Sequence, residues 1–385
     1  NDGTDVTSGS GSVTFARTAP TLTSVSIASD NSPSTHANTD DIVTLTIVGD
    51  KALQQPTVVF SSGSSTVADS SITYATSDGG TTWTAKYEPE AGDTEGNVTF
   101  SVDFDDLAGN DGVDITAVIG SSSVLFDKTV PTLTSVSIAS NNATTTLAAV
   151  GNEITLTFTA SENLQTPVVT FKAGSNNIST ADVVAGSGTN WTAKYTANAG
   201  DTDGSVTFTI AFEDIATNSG TSVTSGSGSV TFDKTVPTLS SVSIASNNTP
   251  GPTTHAKVGH EVTLSFTASE VIKTNPTVVF QSGSAAITNS GAITYANPSA
   301  NNWTAKYTTH SSDTAGSVTY SIDFDDLAGN DGTDVTSGSG SVTFDKTVPT
   351  LTGVSIASDN NPTTHANTDD IVTRHNVISI CVSSR

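Results

Sequence analysis

The sequence predicts an all-β chain built as tandem β-sandwich domains in an extended array, and three observations carry that expectation. The chain repeats itself at domain length: Thr-Val-Pro-Thr-Leu stands at residues 129–133, 235–239 and 347–351, with Thr-Ala-Pro-Thr-Leu at 18–22. The prolines involved, Pro20, Pro131, Pro237 and Pro349, are 111, 106 and 112 residues apart. That exceeds the ~20–50 residues of a solenoid repeat and matches a complete small domain. The three tryptophans keep the same interval, in Trp-Thr-Ala-Lys-Tyr at Trp83, Trp191 and Trp303. Finally, apolar residues alternate with period two between Gly, Asn, Asp and Ser turns, the mark of half-buried antiparallel strands.

The second repeat shows each strand in turn. Residues 132–140 place Leu133, Val136 and Ile138 inward, with one slip of phase between Leu133 and Val136. Residues 153–160 alternate cleanly, with Ile154, Leu156 and Phe158 on one face and threonines on the other. Residues 167–171 form a short apolar strand. Trp191, Ala193 and Tyr195 then alternate with Thr192 and Lys194. Val206, Phe208, Ile210 and Phe212 make the longest strand, and Val230 and Phe232 close the repeat. No segment carries a 3.6-residue apolar stripe. About seven strands in about 110 residues is the immunoglobulin-like sandwich pattern. Trp191 is its expected core anchor, because each repeat offers one such ring.

The repeats divide the chain into residues 16–126, 127–232 and 233–344, flanked by part-repeats at 1–15 and 345–373. Residues 1–15 copy 330–344, and 365–373 copy 36–44. No methionine occurs, so no leader can be read. Residues 374–385 break the alternation and hold the single cysteine, Cys381, which reads as a frameshift or an assembly or cloning boundary. The expectation is three full domains and two part-domains cut from something longer.

Thirteen Lys plus Arg against 38 Asp plus Glu give a formal charge of −25. That balance argues against nucleic acid and anionic membranes as partners, both of which need clustered cations, and it favours cations instead. No apolar run approaches the ~20 residues of a membrane span, so direct membrane insertion is not expected. One cysteine leaves no disulfide framework within a repeat.

The frame DKTVPTL-SVSIASNN, then GNEITLTFTASE, NWTAKYTANAGDTDGSVTFTI-FED and GSGSVTFDK resembles the bacterial immunoglobulin-like (Big-type) repeats of very large surface adhesins and biofilm-associated proteins. It covers the chain apart from the last dozen residues. The resemblance implies an extracellular stalk on a bacterial cell surface that projects an adhesive tip with an unknown ligand. Its partners are the neighbouring repeats, and Ca2+ commonly stiffens the joints.

Strand order decides which acids can meet. The incoming linker and the loops after 153–160 and 206–212 must share one pole, here the leading pole. The loop before the 206–212 strand falls at the opposite, trailing pole. In the second repeat the leading pole carries Asp127, Glu162, Glu213 and Asp214, and in the third Asp233, Glu270, Asp325 and Asp326. The trailing poles carry Asp93 and Glu95, Asp201 and Asp203, and Asp313, followed by the linker acid Asp345. Head-to-tail stacking sets one acidic pole against the next. Ca2+ takes six to eight oxygens at ~2.3–2.6 Å, which several carboxylates and loop carbonyls supply. The competing reading is that these acids are turn residues, with Glu213, Asp105 and Asp325 in the outward phase of their strand. Ala16-Arg17 replaces Asp-Lys at the first linker, and neither an EF-hand loop nor a Gly-Gly-x-Gly-x-Asp repeat is present.

Other constellations read as structural. His36, His255 and His365 share a loop position that is Leu147 in the second repeat, and only His255 and His260 approach ligand spacing, too few for zinc. The Gly-Ser-Gly-Ser stretches at 9–12, 226–229 and 338–341 are not a nucleophile elbow and read as loose turns. Lys86, Lys194 and Lys306 fall opposite the inward Trp and Tyr, on a solvated face, which argues against isopeptide chemistry. No enzyme is expected. The alternatives to a stalk are a loop-based glycan- or protein-binding module, or a spacer array in a secreted enzyme or surface-layer protein. Residues 127–232 alone are expected to give a β-type circular dichroism spectrum and a cooperative melt. Disordered chain under conditions where the full chain folds would refute independent repeats.

Overall fold

The computed structural model describes residues 15–67, 72–174, 176–178, 182–273, 275–288, 293–299, 301–353, 355–358 and 372–375. The readings of residues 1–14, of His365 and of Cys381 lie outside the described residues. Two compact units divide the chain, residues 1–234 with the first two repeats and residues 235–385 with the third.

The first repeat runs β1 (Leu22–Ser29), β2 (His36–Ala37), β3 (Val43–Gly49), β4 (Thr57–Ser62), β5 (Ser65–Thr66), β6 (Thr73–Thr76), β7 (Thr82–Tyr87), β8 (Gly96–Asp103) and β9 (Leu125–Phe126). These make two facing sheets, of order β1-β3-β7-β6 and β2-β9-β8-β4-β5. All neighbours are antiparallel except β2 and β9, which run parallel. The result is an immunoglobulin-like β-sandwich. The second repeat copies it as β10 (Leu133–Ser140), β11 (Leu147–Ala148), β12 (Glu153–Ala160), β13 (Val168–Ala173), β14 (Asn176–Ile178), β15 (Asp182–Ser187), β16 (Asn190–Thr196), β17 (Gly204–Ala211) and β18 (Val230–Phe232). The third repeat keeps the same order of strands from Leu239–Ser246 to Val342–Phe344. Beyond it, Ser355–Ser358 pairs with Val372–His375.

Alternation places the core. Ile154, Leu156 and Phe158 of β12 are buried, and so are Phe171 of β13 and Val206, Phe208 and Ile210 of β17 on the facing sheet. The phase slip after Leu133 is a β-bulge between Leu133 and Ser135, which lets both Leu133 and Ile138 face inward. Tyrosine of the Trp-Thr-Ala-Lys-Tyr string crosses between sheets. Its ring meets a phenylalanine ring in each repeat: Phe60–Tyr87 at 5.1 Å, Phe171–Tyr195 at 6.0 Å and Phe280–Tyr307 at 4.8 Å between centroids. The lysine between them points outward, where Lys194 and Lys306 pair with Glu153 and Glu261.

The Gly-Ser-Gly-Ser stretch is not a loose turn. Ser227 donates to Val136 O at 2.8 Å and Ile138 donates to Ser227 O at 3.0 Å, so the segment lies parallel along β10. A Cβ at Gly226 or Gly228 would sit 2.6 Å from Val136 O or 2.3 Å from Ile138 O. Glycine is there because the backbones touch.

Trp191 is 6% exposed, and its Nε1 donates to Gly188 O at 3.0 Å. Trp191→Ala is expected to cost the second repeat ~3–5 kcal/mol, read by denaturant titration of the full chain. A loss well under about 1 kcal/mol, the scale of a surface change, would place the ring outside the core.

Candidate metal centre

Three of the sequence-selected acids meet where the first repeat hands over to the second. Asp127 follows β9, and its N–H donates to Ala37 O of β2 at 2.9 Å, fixing the start of the linker to the first repeat. Glu162 lies just beyond β12, in a turn held by Ser161 N–H donating to Thr132 O at 2.8 Å. Asp214 lies beyond β17, bridged to Leu164. One carboxylate oxygen from each of Asp127, Glu162 and Asp214 lies within 4.8 Å of the others. Asp214 is 1% exposed, and the other two are half-buried.

Asn218 builds the floor of this cluster. Its N–H donates to Asp214 Oδ1 at 2.9 Å, and its Nδ2 donates both to Asp214 Oδ2 at 2.8 Å and to Asp127 O at 2.9 Å. Sequence reasoning passed over this residue, although Asp-x-x-x-Asn recurs at Asp106–Asn110 and Asp326–Asn330. Lys128 was also missed. Its Nζ donates to Ala91 O at 2.6 Å and Asp93 O at 2.7 Å, so the adjacent cation is committed to carbonyls of the first repeat. Lys234 and Lys346 make the equivalent contacts, to Ala199 O and Asp201 O and to Ser311 O and Asp313 O.

The remaining acids have other duties. Asp93, Asp201 and Asp313 each accept an N–H three residues back, from Glu90, Asn198 and His310. They are turn staples, and Asp201 also accepts the Tyr195 hydroxyl. Glu95 accepts Lys128 N–H at 3.0 Å and the Thr129 hydroxyl at 2.7 Å, and Asp203 accepts Lys234 N–H at 2.8 Å. These second acids grip the linker, and Ala315 offers no such oxygen. Glu213 takes the Ser219 hydroxyl, and Asp325 pairs with Lys273 at 3.2 Å, both in the outward phase. Asp345 accepts Thr347 N–H. Asp326 is buried and repeats the Asp214 cage with Asn330. Asp233 N–H donates to Ala148 O, the counterpart of the Asp127 contact, and Glu270 occupies the Glu162 position.

The Asp127–Glu162–Asp214 cluster is electrostatically loaded. Unit charges 4.8 Å apart repel by about 3 kcal/mol at an effective dielectric of ~20. Burial, then the charges of Asp127, Asp214 and Glu95, push the Glu162 carboxyl up to about 7. Burial chiefly raises Asp214 as well, with Asp127 adding to it against the Asn218 hydrogen bonds. Asp106 holds the same cage in the first repeat, where no linker carboxylate precedes it, and the Asn110 hydrogen bonds lower it. An open groove of about 500 Å³, lined by Glu95, Asp127, Thr129, Ser161 and Glu162 among others, gives access to the acids.

The sequence matches no protein-family model and no curated protein. Solved structures similar to the chain are immunoglobulin-type arrays. Domains A168–A170 of titin are 13% identical, covering 85% of this chain and 99% of that one, with a TM-score of 0.30. Dpr2 Ig1–Ig2 in complex with DIP-Theta Ig1–Ig3 is 12% identical over 84% and 98%, TM-score 0.27. The N-terminal eight Ig domains of DSCAM are 12% identical over 84% and 36%, TM-score 0.26. At these identities and scores the likeness carries no functional argument.

Glu162 makes the junction pH-sensitive. Its folded-state value of about 7 lies above the ordinary 4.5, so the folded state holds the proton more tightly. Its contribution is therefore fully present below pH ~4.5 and lost as pH rises through ~7. In chelator, the melting temperature of the first unit is expected to fall over that window, and Glu162→Gln to flatten the fall. An unchanged slope in the variant would assign the pH dependence elsewhere.

Proposed function

We propose that this chain is a non-catalytic extension segment of a bacterial cell-surface adhesin, stiffened by Ca2+ at its domain junctions. The observation that carries the reading is the convergence of Asp127, Glu162 and Asp214 on one point between two sandwiches, with the neighbouring lysine turned away to carbonyls. Three carboxylates with no ion pair among the described residues suit a hard divalent ion that takes oxygen ligands. Asp127 belongs to the linker and the other two acids to the second repeat, so an ion held by all three ties linker to domain. The extracellular and bacterial parts of the reading rest on the sequence resemblance. No helix is long and apolar enough to cross a membrane among the described residues.

Glycan-binding modules stack sugars on exposed rings. Among the described residues, the exposed large apolar side chains include one aromatic, Phe15, which lies under Arg17. That favours a spacer over a gripping surface.

The affinity expected for extracellular modules is ~10⁻⁴–10⁻³ M. Small-angle scattering of the full chain is expected to show a longer, stiffer particle in millimolar Ca2+ than in chelator. Asp127→Asn should weaken calorimetrically measured binding at its own junction while leaving a remaining class of sites. Superimposable scattering curves with and without Ca2+ would reduce these acids to turn residues.

A further inference from the structure

The first two repeats also touch through groups that need no cation. Asn31 and Asn38, in the loops flanking β2 at the trailing pole of the first repeat, are 9% and 7% exposed. Asn31 Nδ2 donates to Ala216 O at 2.9 Å. Asn38 Nδ2 donates to the same carbonyl at 2.9 Å and to Thr217 Oγ1 at 3.0 Å. Each amide oxygen is occupied within its own loop: Ser32 N–H donates to Asn31 Oδ1 at 2.5 Å, and Asp40 N–H to Asn38 Oδ1 at 2.7 Å. An amide whose oxygen accepts from its own loop has its two donors left for the other side. The NH2 group of Asn38 is therefore aimed at the second repeat by the fold of the first, and that of Asn31 is shared between the second repeat and Asp41 of the first. Ala216 is 1% exposed, whereas its counterpart Ala108 is exposed.

Thr217 is the unusual member. Its φ is 70°, at a position where the first and third repeats have Gly109 (78°) and Gly329 (91°). A β-branched residue is disfavoured in this left-handed region, yet here it supplies a hydroxyl that Asn38 uses. Asn38 is equally particular, since the aligned residues are Ala149 and Lys257. The second amide and the strained hydroxyl therefore occur together at one junction.

We propose that the trailing loops of the first repeat are a docking surface for the 214–218 turn of the second, holding the pair together without a metal ion. The Asn38–Thr217 contact makes that surface selective for a turn bearing a hydroxyl at its left-handed position. The junction thus has a fixed partner as well as a cation-dependent clamp, and the docking does not rest on the Ca2+ reading.

Chelator throughout separates the two. Spin labels at Lys86→Cys and Lys172→Cys, on exposed faces of the first and second repeats, with Cys381→Ser, report the distance between them in the full chain by pulsed EPR. The labelled parent is expected to give one narrow distance distribution in chelator. Asn31→Ala with Asn38→Ala should broaden it at least twofold, with circular dichroism checking that both repeats stay folded. Thr217→Gly should broaden it while raising the melting temperature of the second repeat, because the strain leaves with the side chain, and Thr217→Ser should keep it narrow. Asn38→Ala combined with Thr217→Gly should be no broader than the wider single variant, the sign of a shared contact. If the alanine pair unfolds the first repeat, the Thr217 variants carry the test alone. A parent as broad in chelator as Thr217→Gly, or a Thr217→Gly distribution as narrow as the parent, overturns the proposal.

Discussion

A buried carboxylate whose two oxygens are met by a single asparagine is the constraint on which the junction depends. Asp214 has almost no solvent, so its oxygens must be met by protein groups. The backbone and side chain of Asn218 meet them, and the same side chain reaches across to the carbonyl of Asp127. One amide therefore closes the turn after β17 and fixes where the linker crosses it. That solution brings a charge to a place where Asp127 and Glu162 add two more. Burial and the neighbouring charges are answered at Glu162, whose carboxyl is pushed up to about 7.

The sandwich was legible in the sequence wherever side chains alternate in long strands. Ile154, Leu156 and Phe158, and the run Val206 to Phe212, are inward as their phase requires. Even the irregularity after Leu133 could be read as a slip, because a bulge shifts the period by one. The short strands β2, β5 and β6 could not. They are two to four residues of His, Ala, Ser, Thr and Tyr, and they exist because a neighbour offers a ladder, not because of their own pattern. The Gly-Ser-Gly-Ser segment was misread for the same reason, since its requirement for glycine comes from carbonyls of β10 more than 80 residues away in sequence.

The acids show where topology stops being enough. Strand order assigns Asp127, Glu162 and Asp214 to one pole, and alternation turns Glu213 and Asp325 outward. Neither reveals that Asp93, Asp201 and Asp313 spend their oxygens on their own turns. That outcome depends on a three-residue spacing to a free N–H, as an Asx-type turn does. The linker lysine repeats visibly as Asp-Lys, yet its partners are carbonyls, which carry no side-chain signature. With Lys128 and Glu95 both holding it, the linker as far as Thr129 is an outgrowth of the first repeat.

The parallel pairing of β2 with β9 bears on how a repeat carries load. The chain enters each sandwich at one pole and leaves from β9 or its equivalent at the other. Leu125 and Asp127 donate to Thr35 O and Ala37 O, and the same two bonds recur from Thr231 and Asp233 and from Thr343 and Asp345. A pull on the two ends runs along these strands, so the bonds of one pair are strained together in shear instead of parting one after another. Within a repeat, the two bonds must therefore break together before the last strand can slide past its short neighbour, and the covalent linker beyond them carries the same force without parting.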